Sequence, residues 1–257
     1  MENKRKSFKL KINIKNLEKF IDVIKDLTKI KDEFVLKINS DTTLIYCFDG
    51  QGDQINSIKS FIFKTTELFI NEEIIVPFVF FKKDGKKFAN TLDNYVSFEK
   101  DVNIEIFYDD INDINFCDVM TFNNSKLKLK FTSSSSYETN IKITSELLKS
   151  KFNVNLANFN FKLSKVDFEQ IKKLLNLEDN DIIELQLLSG KLTLSQKDWD
   201  LDLLEGIDYQ NSNYVIPKKT FKTIKIDDDF VDIYVFESYI YIKSDNCDFI
   251  IMLETIL

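Results

Sequence analysis

One order of elements occurs twice in this sequence. A segment with strand-like alternation, residues 8–14, runs directly into residues 17–27, whose apolar side chains fall on one face of a helix. The same succession returns at residues 159–163 and 168–175. In both halves, two strand-like segments joined by a short turn follow the helix, and tandem strands around a tight turn end the half. A β-rich chain offers some such matches by chance, but the shared order predicts a duplicated α+β chain.

The only two prolines of the chain support this duplication. Pro77 and Pro217 each follow a strand-like run, and each is followed four and five residues later by Phe-Lys. Because proline lacks an N–H, it suits the first turn of a helix, where that group has no partner. We therefore expect both prolines to begin equivalent helices in two domains, 1–140 and 157–257. The polar segment 132–156 connects the domains or forms a loop of the first one.

The composition argues against an enzyme. The chain contains no histidine, which excludes histidine-based catalytic triads and most zinc sites. Its five glycines form neither a GxGxxG nor a GxxxxGK[ST] pattern, so no phosphate-binding loop is predicted. We expect no catalytic residue and no cofactor. A hydrolase that uses Asp198 or Asp200 is the remaining enzymatic alternative.

No metal site or disulfide is predicted either. The three cysteines, Cys47, Cys117 and Cys247, lie far apart in apolar runs, which indicates buried thiols. The alternating carboxylates around Trp199 could share one face of a strand, but the run lacks the glycine and the distal glutamate of an EF-hand loop. A solvated face is the better interpretation of these carboxylates.

The sequence predicts a cytoplasmic protein without a membrane partner. No stretch approaches the roughly 20 apolar residues that a membrane-spanning helix needs. The charged start, residues 1–6, leads into a strand-like pattern without the apolar segment of a signal peptide.

Positive charge is concentrated in four segments of an acidic chain. The net charge is −7, from 35 basic and 42 acidic residues. Yet the segments 15–31, 82–87, 164–177 and 218–225, predicted to hold two helices of each copy, contain 16 basic and only 6 acidic residues. A single lysine-rich helix is usually a solvated face. Four that share one sign favour a surface that attracts phosphates without reading sequence, while the acidic remainder repels DNA.

The lysines predicted to contact DNA lie in these four segments. They are Lys15, Lys19, Lys82, Lys83, Lys86, Lys87, Lys165, Lys173, Lys218, Lys219, Lys222 and Lys225.

Two segments connect this pattern to a known family. Residues 161–175, FKLSKVDFEQIKKLL, resemble the opening strand and helix of the second domain of a phage-type sliding clamp, and residues 249–254, FIIMLE, resemble that family's last strand. The whole order of elements, with its basic helices, is similar to the DNA polymerase sliding clamps, or processivity factors. The two-domain clamps of tailed phages, archaea and eukaryotes are the most similar group.

This resemblance implies a duplicated clamp fold, with antiparallel sheets and two helices per domain on one face. It also implies a homotrimer that closes into a ring around duplex DNA. A clamp loader would open the ring with ATP, and a DNA polymerase would dock through a short peptide in an apolar groove. The abundance of Lys, Asn, Ile and Phe favours a virus or phage as the source.

The groove is expected on the second copy, near the connector and the end of the chain. The apolar residues that predict this location are Phe152, Val154, Leu156, Ile256 and Leu257. Two other functions are compatible with the sequence. One is a herpesvirus-like processivity factor that binds DNA without closing a ring, and the other is a β-rich virion or scaffold protein without DNA binding.

Overall fold

A computed structural model describes residues 6–51, 54–70, 77–96, 101–111, 114–124, 126–134, 154–177, 179–226, 228–245 and 247–253. The chain divides into two compact units. Unit 1 comprises Met1–Phe48 and Ser60–Ile143, and unit 2 comprises Asp49–Lys59 and Thr144–Leu257. The boundary predicted at 132–156 falls largely outside the described residues and stays a prediction.

The described residues of unit 1 form three helices and eight strands. The elements are β1 (Lys6–Asn13), α1 (Ile14–Leu27), β2 (Glu33–Ile38), β3 (Thr42–Gln51), β4 (Gln54–Lys64), α2 (Thr65–Leu68), β5 (Phe78–Lys83), α3 (Gly85–Val96), β6 (Asp101–Ile111), β7 (Ile114–Asn123) and β8 (Lys128–Thr132). The last residues of β3 and the first residues of β4 fall within the range 49–59 that belongs to unit 2. The strands follow the order β1-β6-β7-β5-β2-β3-β4, and β8 pairs with β7. The pairing of β5 with β7, at Val79 and Phe116, is parallel.

The described residues of unit 2 repeat this order of elements, without a counterpart of α2. After a 3-10 helix (Val154–Leu156), the elements are β9 (Phe159–Ser164), α4 (Lys165–Leu174), β10 (Ile182–Leu188), β11 (Lys191–Gln196), β12 (Trp199–Glu205), β13 (Ser212–Pro217), α5 (Lys218–Thr223), β14 (Phe230–Val235), β15 (Tyr239–Lys243) and β16 (Cys247–Met252). The strands follow the orders β9-β14-β15-β16 and β12-β11-β10-β13. The predicted duplicated α+β architecture is confirmed.

In both units, a side-chain cap begins the helix that follows the first strand. Asn13 Oδ1 accepts a hydrogen bond of 2.8 Å from the N–H of Asn16 at the start of α1. Ser164 Oγ accepts one of 3.1 Å from the N–H of Asp167 at the start of α4. These caps satisfy amide groups that have no partner inside the helix. They explain why each alternating strand passes into a helix without a loop.

Phenylalanines fill the core of unit 1 beneath α3. Phe88 on α3 lies 5.1 Å from Phe34 and 4.3 Å from Phe131, measured between ring centroids. Phe122 closes the cluster at 5.8 Å from Phe131. Helix α1 buries Phe20 on the same core. Burial of this aromatic surface fixes both helices to one side of the unit.

The two prolines occupy different positions, so the prediction that they begin equivalent helices is wrong. Pro217 ends β13 and caps α5, and it pairs with Ile182, the first residue of β10. The residue that pairs with the first residue of β2 is Lys83, not Pro77. Pro77 precedes β5, and α3 begins only at Gly85. The Pro-to-Phe spacing therefore spans a strand in one unit and a helix in the other.

None of the described helices is long and apolar enough to cross a membrane. Cys47 and Cys117 are buried, Cys247 is half-buried, and no disulfide joins them.

Candidate nucleic-acid interface

In unit 1, the predicted lysines lie on a pair of adjacent helices. Helices α1 and α3 pack side by side, and Lys25 Nζ is joined to Asp93 Oδ2 by an ion pair of 2.6 Å. The apolar face of α1 is buried, which leaves Lys15 and Lys19 on its exposed face. Lys86 and Lys87 are exposed in the first turn of α3.

In unit 2, a second helix pair carries the remaining lysines. The rings of Phe168 on α4 and Phe221 on α5 stack at 5.0 Å. Lys165, Lys173, Lys219 and Lys225 are exposed on or directly after these helices, and Lys222 is half-buried.

Three of the predicted lysines are not presented on helix faces. Lys82 and Lys83 belong to strand β5, and Lys82 Nζ donates to the carbonyl oxygen of Thr132 at 3.1 Å. Lys218 is only 7% exposed, because the short helix α5 turns this residue inward. The predicted helical position is therefore wrong for Lys82 and Lys83, and Lys218 lies on a helix but is buried. DNA contact by the lysines of the four segments stays a prediction.

The observed helices carry a smaller positive excess than the sequence segments suggested. In unit 1, α1 and α3 contain five lysines and four carboxylates, whereas α4 and α5 of unit 2 contain six lysines and two carboxylates. The difference arises from five lysines that lie outside the helices: Lys29 and Lys31 after α1, Lys82 and Lys83 in β5, and Lys225 after α5. Lys29 pairs with Asp26 at 3.1 Å, and Lys31 pairs with Glu33 at 2.9 Å. The net charge of the helix pairs is positive in both units and larger in unit 2.

Sliding clamps share this architecture. The beta clamp of Helicobacter pylori bound to a DNA ligase peptide has a TM-score of 0.64 and 14% identity over 96% of this chain and 66% of that chain. The DNA polymerase III beta chain of Streptococcus pneumoniae has a TM-score of 0.64 and 11% identity over 97% and 65%. The PCNA2–PCNA3 complex from Sulfolobus tokodaii has a TM-score of 0.57 and 18% identity over 96% and 99%.

This chain has the sliding-clamp fold. The predicted resemblance is thereby confirmed at the level of the fold, and the phage-type subclass stays a prediction. The chain spans slightly less than two thirds of the length of the bacterial beta subunits. No protein-family model matches the sequence, and no curated protein sequence does.

The clamp fold forms a pocket at one end of unit 2. It has a volume of about 400 Å³ and is lined by Asn158, Tyr209, Gln210, Ser212, Asn213, Tyr214, Glu237 and Leu253. Phe159 supports its floor, with ring centroids 5.9 Å from Tyr209 and 6.3 Å from Tyr214. These residues were not predicted, because they come from four separate parts of the chain that only the sheet topology brings together.

The residues predicted to form the partner groove lie partly outside the described chain. Phe152, Ile256 and Leu257 fall there. Val154 is half-buried and Leu156 is 71% exposed in the 3-10 helix that precedes β9. Asn158, two residues after this helix, lines the pocket. The predicted location near the connector and the last strand is thus close in sequence to an observed pocket.

Two edge strands of the clamp fold carry opposite charges. Among the described residues, β8 of unit 1 pairs only with β7, and β12 of unit 2 pairs only with β11. Strand β8 exposes Lys128 and Lys130, and strand β12 exposes Asp200 and Asp202. The intervening apolar side chains are half-buried in both strands.

Two carboxylates in unit 2 have shifted acidities. A hydrogen bond of 2.7 Å from Lys191 holds the pKa of Asp202 below its ordinary value. Burial raises the pKa of Asp248, although the hydroxyl of Tyr241 donates to it at 3.0 Å and opposes the shift. Within the described part of the chain, no group of three or more Cys, Asp or Glu side chains is placed to hold a metal ion.

Proposed function

We propose that this chain is the subunit of a sliding clamp that encircles duplex DNA and tethers a DNA polymerase. The observation that carries the proposal is the clamp fold with positively charged helix pairs in a chain whose net charge is −7. Lysines on these helices attract phosphates in any sequence through counterion release. The acidic remainder of the surface disfavours DNA elsewhere.

The proposed protein performs no chemistry. A closed ring stays on DNA without binding it tightly, because it cannot leave the duplex unless it opens. A polymerase bound to the ring is kept at a high effective concentration near the primer end. The lysines need only be loosely arranged cations, since contacts to base edges would hinder sliding.

The two oppositely charged edge strands support assembly into a ring. Lysines on an edge strand also prevent aggregation, so the lysines of β8 do not by themselves indicate a partner strand. The acidic edge strand β12 is complementary in charge to the basic edge strand β8 of a second copy. Complementary charges of this kind set the orientation of two paired strands. Each subunit would offer β8 to one neighbour and β12 to the other. Such a head-to-tail contact generates a closed ring if its rotation closes.

We propose three subunits per ring. The chain aligns with 99% of the Sulfolobus tokodaii clamp chain, compared with 65–66% of the bacterial beta subunits, which supports a ring built from two-unit subunits. Three such subunits would place six units around the DNA. A clamp loader would then be required to open the ring.

The pocket of unit 2 is the proposed docking site for the polymerase. Its tyrosines and Leu253 offer apolar surface, and Glu237 and the amide side chains at its rim offer hydrogen bonds. The Helicobacter pylori clamp binds a DNA ligase peptide, which supports a peptide as the ligand here. We place the protein in the cytoplasm of a host cell, encoded by a virus or phage.

Solution mass is the first test of this proposal. Light scattering should give three times the subunit mass of 30.2 kDa at micromolar concentration. A trimer that binds linear duplexes of different sequence with equal affinity supports the proposal. A monomer that binds DNA would favour a non-ring processivity factor, and a protein without DNA binding would favour a scaffold.

A further inference from the structure

One wall of the pocket in unit 2 carries a carboxylate that no described side chain engages. Glu237 lines the pocket, is exposed, and lies in the turn between β14 and β15. Within the described residues, its carboxylate forms neither an ion pair nor a hydrogen bond. A carboxylate in this position can pair with a cationic group that a ligand brings into the pocket.

Two backbone hydrogen bonds fix the turn that carries Glu237. The N–H of Phe236 donates to the carbonyl oxygen of Tyr239 at 2.9 Å, and the rings of these two residues stack at 4.4 Å. The N–H of Leu253, another lining residue, donates to the carbonyl oxygen of Ser238 at 2.9 Å. The backbone of Glu237 is therefore in place before a ligand binds, which lowers the entropic cost of binding.

Tyrosine rings lie beside this carboxylate in the pocket wall. Tyr209 is half-buried, and Tyr214 is 8% exposed. The side-chain amide of Asn158 donates to the hydroxyl of Tyr214 at 3.4 Å. Aromatic rings attract cations, and they also cover the alkyl chain of a lysine or an arginine. A carboxylate together with tyrosine rings is thus suited to a long cationic side chain.

The segments that line the pocket contain no basic residue among the described residues. Their charged residues are Asp208 and Glu237. These segments are 155–160, 207–215, 236–239 and 251–253. On the neighbouring strands, Lys191 at the start of β11 is paired with Asp202 at 2.7 Å and lies opposite Glu205 of β12. A cation that enters the pocket therefore meets negative charge that these segments do not neutralise.

We infer that the pocket of unit 2 selects a docking peptide by a lysine or arginine side chain. Glu237 pairs with the charge of this side chain, and Tyr209 and Tyr214 contact its alkyl part. The inference rests on the proposed function and adds the chemistry by which the peptide is recognised. An acidic side chain would be repelled here, and an apolar one would remove water from Glu237 without replacing its hydrogen bonds.

A peptide selection tests the inference without knowledge of the polymerase. Random octapeptides displayed on phage are selected on the immobilised full chain. Peptides that the natural protein retains and the variant Tyr209→Ala with Leu253→Glu does not retain are ligands of the pocket. These peptides are synthesised with a fluorophore, and anisotropy measures their affinity for the natural protein, for Glu237→Gln and for Glu18→Gln. Glu18 is a matched control, because it is exposed on α1 and loses the same charge.

The peptides that depend on the pocket should share a lysine or arginine at one position. Glu237→Gln should weaken their binding about threefold and Glu237→Lys about tenfold, whereas Glu18→Gln should have no effect. Once the basic residue of the peptide is replaced by alanine, Glu237→Gln should cause no further loss, because the two groups act as a pair. Thermal unfolding confirms that each variant is folded.

Two results would overturn the inference and leave the pocket as a docking site. One is a set of pocket-dependent peptides without a shared basic position, and the other is an equal effect of Glu237→Gln and Glu18→Gln. A selection that yields no pocket-dependent peptide would contradict docking at this pocket, and the inference would fail with it.

Discussion

Phe168 and Phe221 stack at 5.0 Å and thereby fix α4 against α5 in unit 2. Phe168 is fully buried, and Phe221 is 6% exposed. The contact holds together two helices that present the lysines Lys173, Lys219 and Lys222. The corresponding helices of unit 1, α1 and α3, are joined at their surface by Lys25 and Asp93 instead. Packing and charge are thus divided differently between the two copies.

Replacing Phe221 with alanine should destabilise unit 2 strongly. Truncation of a buried phenylalanine costs about 3–5 kcal/mol of unfolding free energy, because a cavity remains. Chemical denaturation measures the change. Phe230→Ala is a suitable control, since that side chain is 62% exposed and its removal should cost less than about 0.5 kcal/mol. Similar values for both variants would contradict the packing described for α4 and α5.

The helix caps should contribute equally in the two units. Asn13→Ala and Ser164→Ala each remove the side chain that accepts from the first turn of a helix. Each should lower the unfolding free energy by about 1 kcal/mol, and the double variant should show nearly the sum. A cost near zero for either variant would show that its cap is not needed.

The edge strands allow a charge-exchange test of the ring. Lys128→Glu with Lys130→Glu should separate the subunits, and so should Asp200→Lys with Asp202→Lys, because like charges then meet across the contact. A chain with all four changes should assemble again. Light scattering reports the mass, and emission of Trp199, the only tryptophan, reports burial at β12. Failure of the fourfold variant to recover would argue against pairing of β8 with β12.

Asp248 should make unit 2 less stable as the pH rises. Its pKa is raised in the folded state by burial, so folding favours the protonated carboxyl. That contribution is complete below the unfolded pKa of about 3.9 and disappears as the pH rises through the higher folded value. Asp248→Asn should therefore be more stable than the natural protein at pH 7, and the difference should shrink towards pH 4. Denaturation at several pH values measures this, and a pH-independent difference would contradict the assignment.

Local periodicity in the sequence predicted the duplication, because the strand pattern of β1 and β9 changes directly into the helix pattern of α1 and α4. The position of Pro77 could not be read this way. The run Phe78–Phe81 is apolar throughout, and such a run fits a buried strand as well as a helix. The burial of Lys218 depends on how a six-residue helix packs, which no local pattern reveals. The pocket of unit 2 escaped prediction because its lining residues meet only through the sheet topology.

The polymerase should depend on the pocket of unit 2. Tyr209→Ala with Leu253→Glu should weaken polymerase stimulation while the solution mass stays unchanged, because both residues line the pocket. Leu188→Glu is the matched control, since Leu188 is 56% exposed and lies outside the lining. Primer extension measures both variants. Equal effects of the pocket and control variants would place the docking site elsewhere.

Encirclement is the central claim, and retention on circular DNA tests it most directly. The subunits are dissociated by dilution, reassembled by concentration in the presence of nicked circular DNA, and separated by gel filtration in high salt, which suppresses phosphate contacts. A sliding clamp should elute with the circular DNA and should be released when a restriction enzyme cuts the circle once. Release from circular and linear DNA alike, or retention that survives the cut, would contradict a closed ring.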